Sequence, residues 1–265
     1  MLFGAPLSHD AILLPGRPQD QTPVHTCVDN GHLRYRGRVD DPSEWLAAAG
    51  FSVIPGLLSP EELQGVAKLL ASSSDRSIGS RRFIEDSRCA ELGRRIGRNP
   101  RMLALLPRDA VAVQCTSFIK GPANNWLVSL HQDLSIPVAE RVESTECSGW
   151  SEKEGELYVR PPAAVLERLL AVRVHLDDCD ESNGAIRVVP GSHKYGRLNS
   201  ANVAGLREAH GEVSVPVARG DAMLMRPLLL HASSKCTGER PRRVLHFVYG
   251  PRQLPCGLRW RTAIG

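Results

Sequence analysis

Along the 265-residue chain the spacing of apolar positions changes from helical in the first half to strand-like in the second. Phe51 to Ile54 is a short β-prone run. It is followed by Ser59-Pro60-Glu61-Glu62, which supplies an N-cap serine, a proline at the first helical position and a glutamate at the third. This predicts a helix from Pro60 to about Ala71, with Leu63, Val66, Ala67 and Leu70 as its buried stripe. A second helix is expected within residues 88–105, interrupted at Asn99-Pro100 because proline disfavours helix in the residue before it.

The period then drops to two. Val111, Val113, Cys115, Ser117 and Ile119 alternate with Ala112, Gln114, Thr116, Phe118 and Lys120, which puts Gln114, Thr116 and Lys120 on one face of a strand. Pro161 to Leu170 reads as a short helix and Ala171 to Asp177 as a strand. Glu181-Ser182-Asn183-Gly184 reads as a hairpin turn and Ala185 to Val189 as the returning strand. Further strands are expected at Val213 to Val217, Ala222 to Met225 and Val244 to Tyr249. Helices first and strands later argue against alternating βαβ units and for a mainly β antiparallel sandwich or barrel with flanking helices.

Two stretches lack a period. Residues 1–43 read as an N-terminal arm with one strand around His32 to Arg36, leaving 44–265 as a single domain. Residues 134–160 are rich in Glu and hold Trp150 and Tyr158. A segment of that length without a period, directly after a candidate metal motif, is expected to be a lid.

Composition narrows the function classes. At 42% hydrophobic and 23% charged, with 19 Pro and 23 Gly spread along its length, the chain reads as globular and turn-rich. The net charge of +4 comes from scattered arginines; in the densest basic stretch, residues 76–108, Glu91 stands four residues before Arg95, as on a solvated helical face. With aromatics also sparse, a nucleic-acid partner is not expected. The absence of a basic, apolar leader or a run of 18 apolar residues points to a cytoplasmic protein without a membrane partner. Seven widely separated Cys with no C-x-x-C pair point to reduced thiols rather than a zinc ribbon.

The candidate chemistry lies in two H-x-D triplets, His131-Gln132-Asp133 and His175-Leu176-Asp177. With nine His in the chain, chance supplies roughly half a triplet, so neither is informative alone. Two ligands spaced by two on a strand face one side, and a third His completes a two-His, one-carboxylate set that holds Fe(II) with three positions open. His231 closes an apolar strand and is the obvious third ligand. Arg242 follows eleven residues later across a turn, where its guanidinium can bind a carboxylate through paired hydrogen bonds. Arg173, His175 and Asp177 share a strand face, so the second triplet is expected to form a hydrogen-bonded polar cluster.

The order His131-x-Asp133, Asn183-Gly184, Pro190-Gly191-Ser192-His193, His231-x-Ser233 and Pro241-Arg242-Arg243 resembles the phytanoyl-CoA dioxygenase family of Fe(II)/2-oxoglutarate oxygenases. The resemblance runs from Gly50 to about Tyr249. It implies a double-stranded β-helix (a cupin-like jelly roll) with iron on His131, Asp133 and His231. It also implies that Arg242, with Ser233 alongside, binds the distal carboxylate of 2-oxoglutarate, that O2 is the other co-substrate, and that Lys120 and Gln114 approach the co-substrate or substrate. Arg243 is the alternative to Arg242 if a bulge exchanges the two. The family usually has Lys-Pro-Gly where this chain has Lys120-Gly121-Pro122, which changes the loop path after Lys120. Related halogenating enzymes replace the carboxylate ligand with a small residue, so Asp133 points to hydroxylation of a small-molecule substrate, with Trp150 and Tyr158 as its contacts. The alternatives are a cupin-like metal-dependent isomerase, a non-catalytic sensor and a zinc hydrolase. Arg160, Arg173 and Arg187 hint at an anionic ligand.

Overall fold

The computed structural model describes residues 26–29, 32–35, 41–71, 79–122 and 124–265. Most of the expected arm lies outside them, but β1 (Thr26–Asp29) and β2 (His32–Tyr35) form an antiparallel ribbon. Helix α1 (Pro42–Ala49), which periodicity does not disclose, is bounded by its caps. Asp41 accepts from the Ser43 backbone N–H at 2.8 Å, and Gly50 closes the helix with φ of 86°.

Strand β3 (Phe51–Ile54) and helix α2 (Pro60–Ala71) occupy the expected positions. The capping box forms: the Ser59 N–H donates to Glu62 Oε2 at 2.7 Å, and the Glu62 N–H donates to Ser59 Oγ at 3.3 Å. The expected second helix is divided into α3 (Ser87–Arg98) and α4 (Pro100–Leu103), and Asn99 ends the first and caps the second. The expected Glu91–Arg95 pair does not form. Glu91 pairs with Arg94, and Arg95 reaches across to Glu62 of α2, because helix packing brings that carboxylate closer than the next turn does.

The remaining elements are β4 (Ala110–Lys120), β5 (Val128–His131), β6 (Ile136–Pro137), β7 (Ser148–Lys153), β8 (Glu156–Arg160), α5 (Ala163–Glu167), β9 (Leu170–His175), β10 (Ile186–Val188), α6 (Ser200–His210), β11 (Val213–Val215), β12 (Ala222–Met225), β13 (His231–Ser233) and β14 (Arg242–Pro251). The sheets run β1-β2-β11-β10-β13-β5 and β3-β12-β9-β14-β4, the two halves of a jelly roll. Helix α6 interrupts the strand-rich half; its Asn199 cap and Gly211 terminus mark it better than its weak apolar stripe.

Strand alternation assigns the two faces of the five-stranded sheet. Leu245, Phe247 and Tyr249 of β14 pack outward with Val172 and Val174 against Leu92 and Ile96 of α3, and the Tyr249 hydroxyl donates to Gly93 O at 2.7 Å. Ala171, Met223 and Met225 face inward and meet Ile186, Val188 and Val215 of the opposing sheet.

The aperiodic 134–160 segment is ordered as a small antiparallel sheet, β6-β8-β7, whose hairpin turns at Glu154-Gly155 with positive φ at both residues. Its strands are too short and too exposed on one side to show alternation in the sequence. Among the described residues no helix is long and apolar enough to cross a membrane, and Cys89, Cys115, Cys147, Cys179, Cys236 and Cys256 carry free thiols.

Candidate active site

The first triplet straddles a strand end. His131 is the last residue of β5 and pairs directly with His231, the first of β13; between this pair and Val128↔Ser233 the ladder shifts register. Asp133 lies beyond the strand, so strand parity does not place it. Its position is set by its backbone N–H, which donates to Pro227 O at 2.9 Å, and by Gln132. The Gln132 amide donates to Gly196 O at 2.8 Å and Leu228 O at 2.7 Å, and its carbonyl accepts from the Leu198 N–H at 2.9 Å. The middle residue of the triplet is therefore a pin between two loops. Ser192 of the Pro-Gly-Ser-His run acts similarly, its Oγ accepting from the Leu230 N–H at 2.8 Å just before His231.

These supports bring His131, Asp133 and His231 together, with one donor atom from each lying within 4.8 Å of the others. The His131 and His231 Nε2 atoms each stand 3.8 Å from an Asp133 oxygen. His131 Nδ1 lies 2.8 Å from Ser129 O and His231 Nδ1 lies 2.9 Å from Leu229 O. A carbonyl can only accept, so each Nδ1 carries the proton and each Nε2 lone pair faces the gap. Burial pushes His231 down to about 4, which keeps it neutral near pH 7. Burial raises the Asp133 carboxyl, but His231, His246, His131 and Arg173 outweigh it and leave the group below its ordinary value.

The opposite wall of the cavity is built on the β4–β14 ladder, which stays in register from Arg242↔Lys120 to Val248↔Gln114 and shifts only beyond Val248. Arg242 consequently faces inward, is 2% exposed and lines the cavity with Gln114, Thr116, Ser233 and the triad. Arg243 turns outward, where Asp177 accepts from it at 2.7 and 2.8 Å. Arg242 donates to Gly184 O and, at 3.4 Å, to Ser233 Oγ; its Nε has no partner. Lys120 is fully buried behind this wall and donates to Ser233 Oγ at 2.9 Å and Ser234 O at 2.7 Å. Burial, then Arg242 and Arg173, push Lys120 down to about 8. Beyond it, Gly121 and Asn124 exchange backbone hydrogen bonds at 3.0 Å, closing the loop that Gly121-Pro122 begins. Asn183-Gly184 belongs to the same wall: Gly184 has φ of 83°, and a Cβ there would stand 2.7 Å from Ser234 O and 3.2 Å from Lys120 Cδ.

The second triplet does not form the expected hydrogen-bonded cluster. Strand β9 ends at His175, so Asp177 leaves the shared face for Arg243, while Arg173 donates to His246 Nδ1 at 2.9 Å with Phe118 beneath its guanidinium. His175 is 1% exposed, both ring nitrogens lack partners, and burial holds it well below its ordinary value. Arg173 and His246 both line the cavity, as do Lys153, Arg81 and Trp126; of these, sequence reasoning singled out only Arg173, as one of three arginines that hint at an anion. The alternation of β14 could have found His246, four residues beyond Arg242. Tyr158 lines the cavity, whereas Trp150 packs against the Ile136 and Val159 cluster beneath Arg141. Arg160 is exposed and Arg187 is paired with Glu212, so of the three arginines that hinted at an anion only Arg173 reaches the cavity.

The cavity measures about 300 Å³. Two imidazoles with Nε2 toward the gap and one carboxylate at one end suit a divalent metal such as Fe(II) and leave positions open. At the other end, an arginine with an unpartnered Nε suits a carboxylate.

A family model described as Phytanoyl-CoA dioxygenase (PhyH) matches residues 46–244. No curated protein matches. Among solved structures the chain is similar to the non-haem α-ketoglutarate-dependent carbocyclase SnoK from nogalamycin biosynthesis, with 16% identity, 81% of this chain and 84% of that one covered, and a TM-score of 0.58. It is also similar to iron-bound EctD from S. alaskensis, with 19% identity, coverage of 82% and 79%, and a TM-score of 0.58. Iron-bound HygX from Streptomyces hygroscopicus has 19% identity, coverage of 81% and 87%, and a TM-score of 0.55. At these identities the likeness is one of fold.

Proposed function

Because the chain belongs to the phytanoyl-CoA dioxygenase family, we propose that it is an Fe(II)/2-oxoglutarate-dependent oxygenase that hydroxylates a small molecule. The observation that carries this is the convergence on one cavity of a metal-ready His131, Asp133 and His231 set and an inward Arg242 with an unpartnered Nε. When bound, Fe(II) with 2-oxoglutarate supplies the oxidising chemistry: O2 is consumed, CO2 and succinate are released, and one oxygen atom enters a C–H bond of the substrate.

The chain's residues hold, orient and shield. His131, Asp133 and His231 hold the metal, with Ser129 O and Leu229 O fixing the two ring tautomers. Arg242 and Ser233 take the distal carboxylate. Lys120 positions Ser233 from behind through its 2.9 Å hydrogen bond, and Gln114, which donates to Thr116 Oγ1 at 2.9 Å, faces the same ligands from β4. The 134–160 sheet acts as the lid, with Tyr158 against the substrate and Ile136 and Pro137 excluding water. Asp133 occupies the position that a halide would need, which favours hydroxylation.

An anaerobic titration tests this. Fe(II) followed by 2-oxoglutarate is expected to produce a weak visible charge-transfer band, and His131→Ala is expected to abolish it with unchanged circular dichroism. A folded protein that binds neither, or gives no band, sinks the proposal. Succinate release across a metabolite panel then identifies the substrate.

A further inference from the structure

Four cationic side chains line the cavity, Arg81, Lys153, Arg173 and Arg242, against a single carboxylate, Asp133. On the oxygenase reading, on which this inference rests, loading the site does not correct the imbalance. A dication and a dianion add no net charge, and Asp133 is taken up by the metal.

The four cations differ in what already satisfies them. Arg242 has a carboxylate assigned to it. Arg173 donates to His246 and lies over the Phe118 ring. Arg81 is neutralised by Glu154, which accepts from its guanidinium at 3.0 Å and from its backbone N–H at 3.0 Å. Lys153, at the end of β7 on the small sheet, has no carboxylate within salt-bridge distance among the described residues. Its ammonium donates to the Ser135 hydroxyl at 2.8 Å and stands 4.6 Å from the centre of the Tyr158 ring. It is half-buried, so part of its hydration is lost without an anion to replace it. Its two contacts are neutral, and they lie beside and on the small sheet, Ser135 just before β6 and Tyr158 on β8.

We infer that the substrate carries an anionic group, a carboxylate or a phosphate, that seats on the Lys153 ammonium. Lys153 is then a specificity-determining residue: it fixes one end of the substrate on the small sheet while the metal-facing end is left for chemistry.

The test uses benzoate, phenyl phosphate and neutral benzamide as probes, with 2-oxoglutarate at saturation. Binding is followed by tryptophan fluorescence, since Trp126 lines the cavity, and separately by perturbation of the anaerobic Fe(II)/2-oxoglutarate band. Wild type is expected to bind at least one anionic probe about tenfold more tightly than benzamide. Lys153→Met is expected to reduce that preference to about twofold or less, Lys153→Arg to keep most of it, and Arg173→Gln to leave it in place. The tighter of benzoate and phenyl phosphate identifies the anionic group. Equal binding of all three probes by wild type overturns the inference. So does a preference that survives Lys153→Met, is lost instead in Arg173→Gln, or arises by displacement of 2-oxoglutarate. The fluorescence titration needs no metal, so it judges Lys153 even if the band is absent and the oxygenase reading has failed.

Discussion

His131-Gln132-Asp133 and His175-Leu176-Asp177 carry the same two functional groups at the same spacing, and the fold sends them to opposite fates. In the first triplet a polar middle residue pins two loops while the flanking side chains face the cavity beside His231. In the second an apolar middle residue joins the outer core. The histidine is buried without a partner, and the aspartate turns to Arg243. A chelating pair is therefore made by what holds the middle residue and by what stands opposite, not by spacing.

The comparison breaks most readily at the metal. His131→Ala is expected to lower Fe(II) affinity by at least about a hundredfold, the upper end of what losing even an outer partner costs. His175→Ala should leave it unchanged. Anaerobic metal titration of both variants checks this, and equal losses would remove the distinction between the triplets.

Acid comes next. His246 is pushed down to about 3 by burial, then Arg173, and His175 is also held low. Both therefore stay unprotonated in the folded chain at pH values where the unfolded chain takes up protons, below about 6.5. The metal-free protein should lose stability as pH falls from about 6.5 toward 4, on the order of 3 kcal/mol from His246 alone, with His175 adding to the loss. His175→Leu should flatten that slope and leave stability near pH 7 equal or higher, because it removes two unpartnered nitrogens. Urea unfolding across pH measures both.

The middle residues give a smaller effect. Gln132→Leu should cost about 2 kcal/mol and weaken metal binding about tenfold, because the carbonyls of Gly196 and Leu228 and the Leu198 N–H lose their partner. Leu176→Gln should cost a similar ~2 kcal/mol by burying an unpaired amide, with metal affinity intact. Unfolding curves paired with metal titration separate the two. Smallest is Asp177→Ala. Its pair with Arg243 is partly exposed, so about 1 kcal/mol is expected in a thermal or urea melt, with no change in metal binding.

Much of the architecture was legible because it is local. The Ser59–Glu62 box, the Asn99-Pro100 break and the alternation of β4 each follow from short-range backbone chemistry, and each stands where the sequence places it. Helices α1 and α6 were not legible, because weakly amphipathic helices are stabilised by caps and by packing against the sheets. The small sheet was hidden because strands of two to six residues with one solvent face carry too few positions to show a period. The pairing of Arg173 with His246 was missed for a different reason. Each is unremarkable on its own strand, and they become a pair only because β9 and β14 are neighbours.

The sequence by itself determined which residues share a face. Gln114 and Lys120 share a face of β4 because strand parity is a property of the backbone, whereas the unbroken β4–β14 register decided that Arg242, not Arg243, joins them. The sequence also carried the turn at Asn183-Gly184, where only glycine fits beside Ser234 O, but not its topology: the turn closes no hairpin and instead carries the chain from β9 in one sheet to β10 in the other. The order of motifs already favoured the first triplet; the tertiary structure shows how its three side chains meet, because the third lies a hundred residues away and is aligned by the β13–β5 ladder. Only the tertiary structure decided which cations remain unneutralised, since Glu154 reaches Arg81 and His246 reaches Arg173 only after the sheets have packed. Parity is fixed within a strand, whereas coordination and charge balance depend on groups that the chain brings together from far apart.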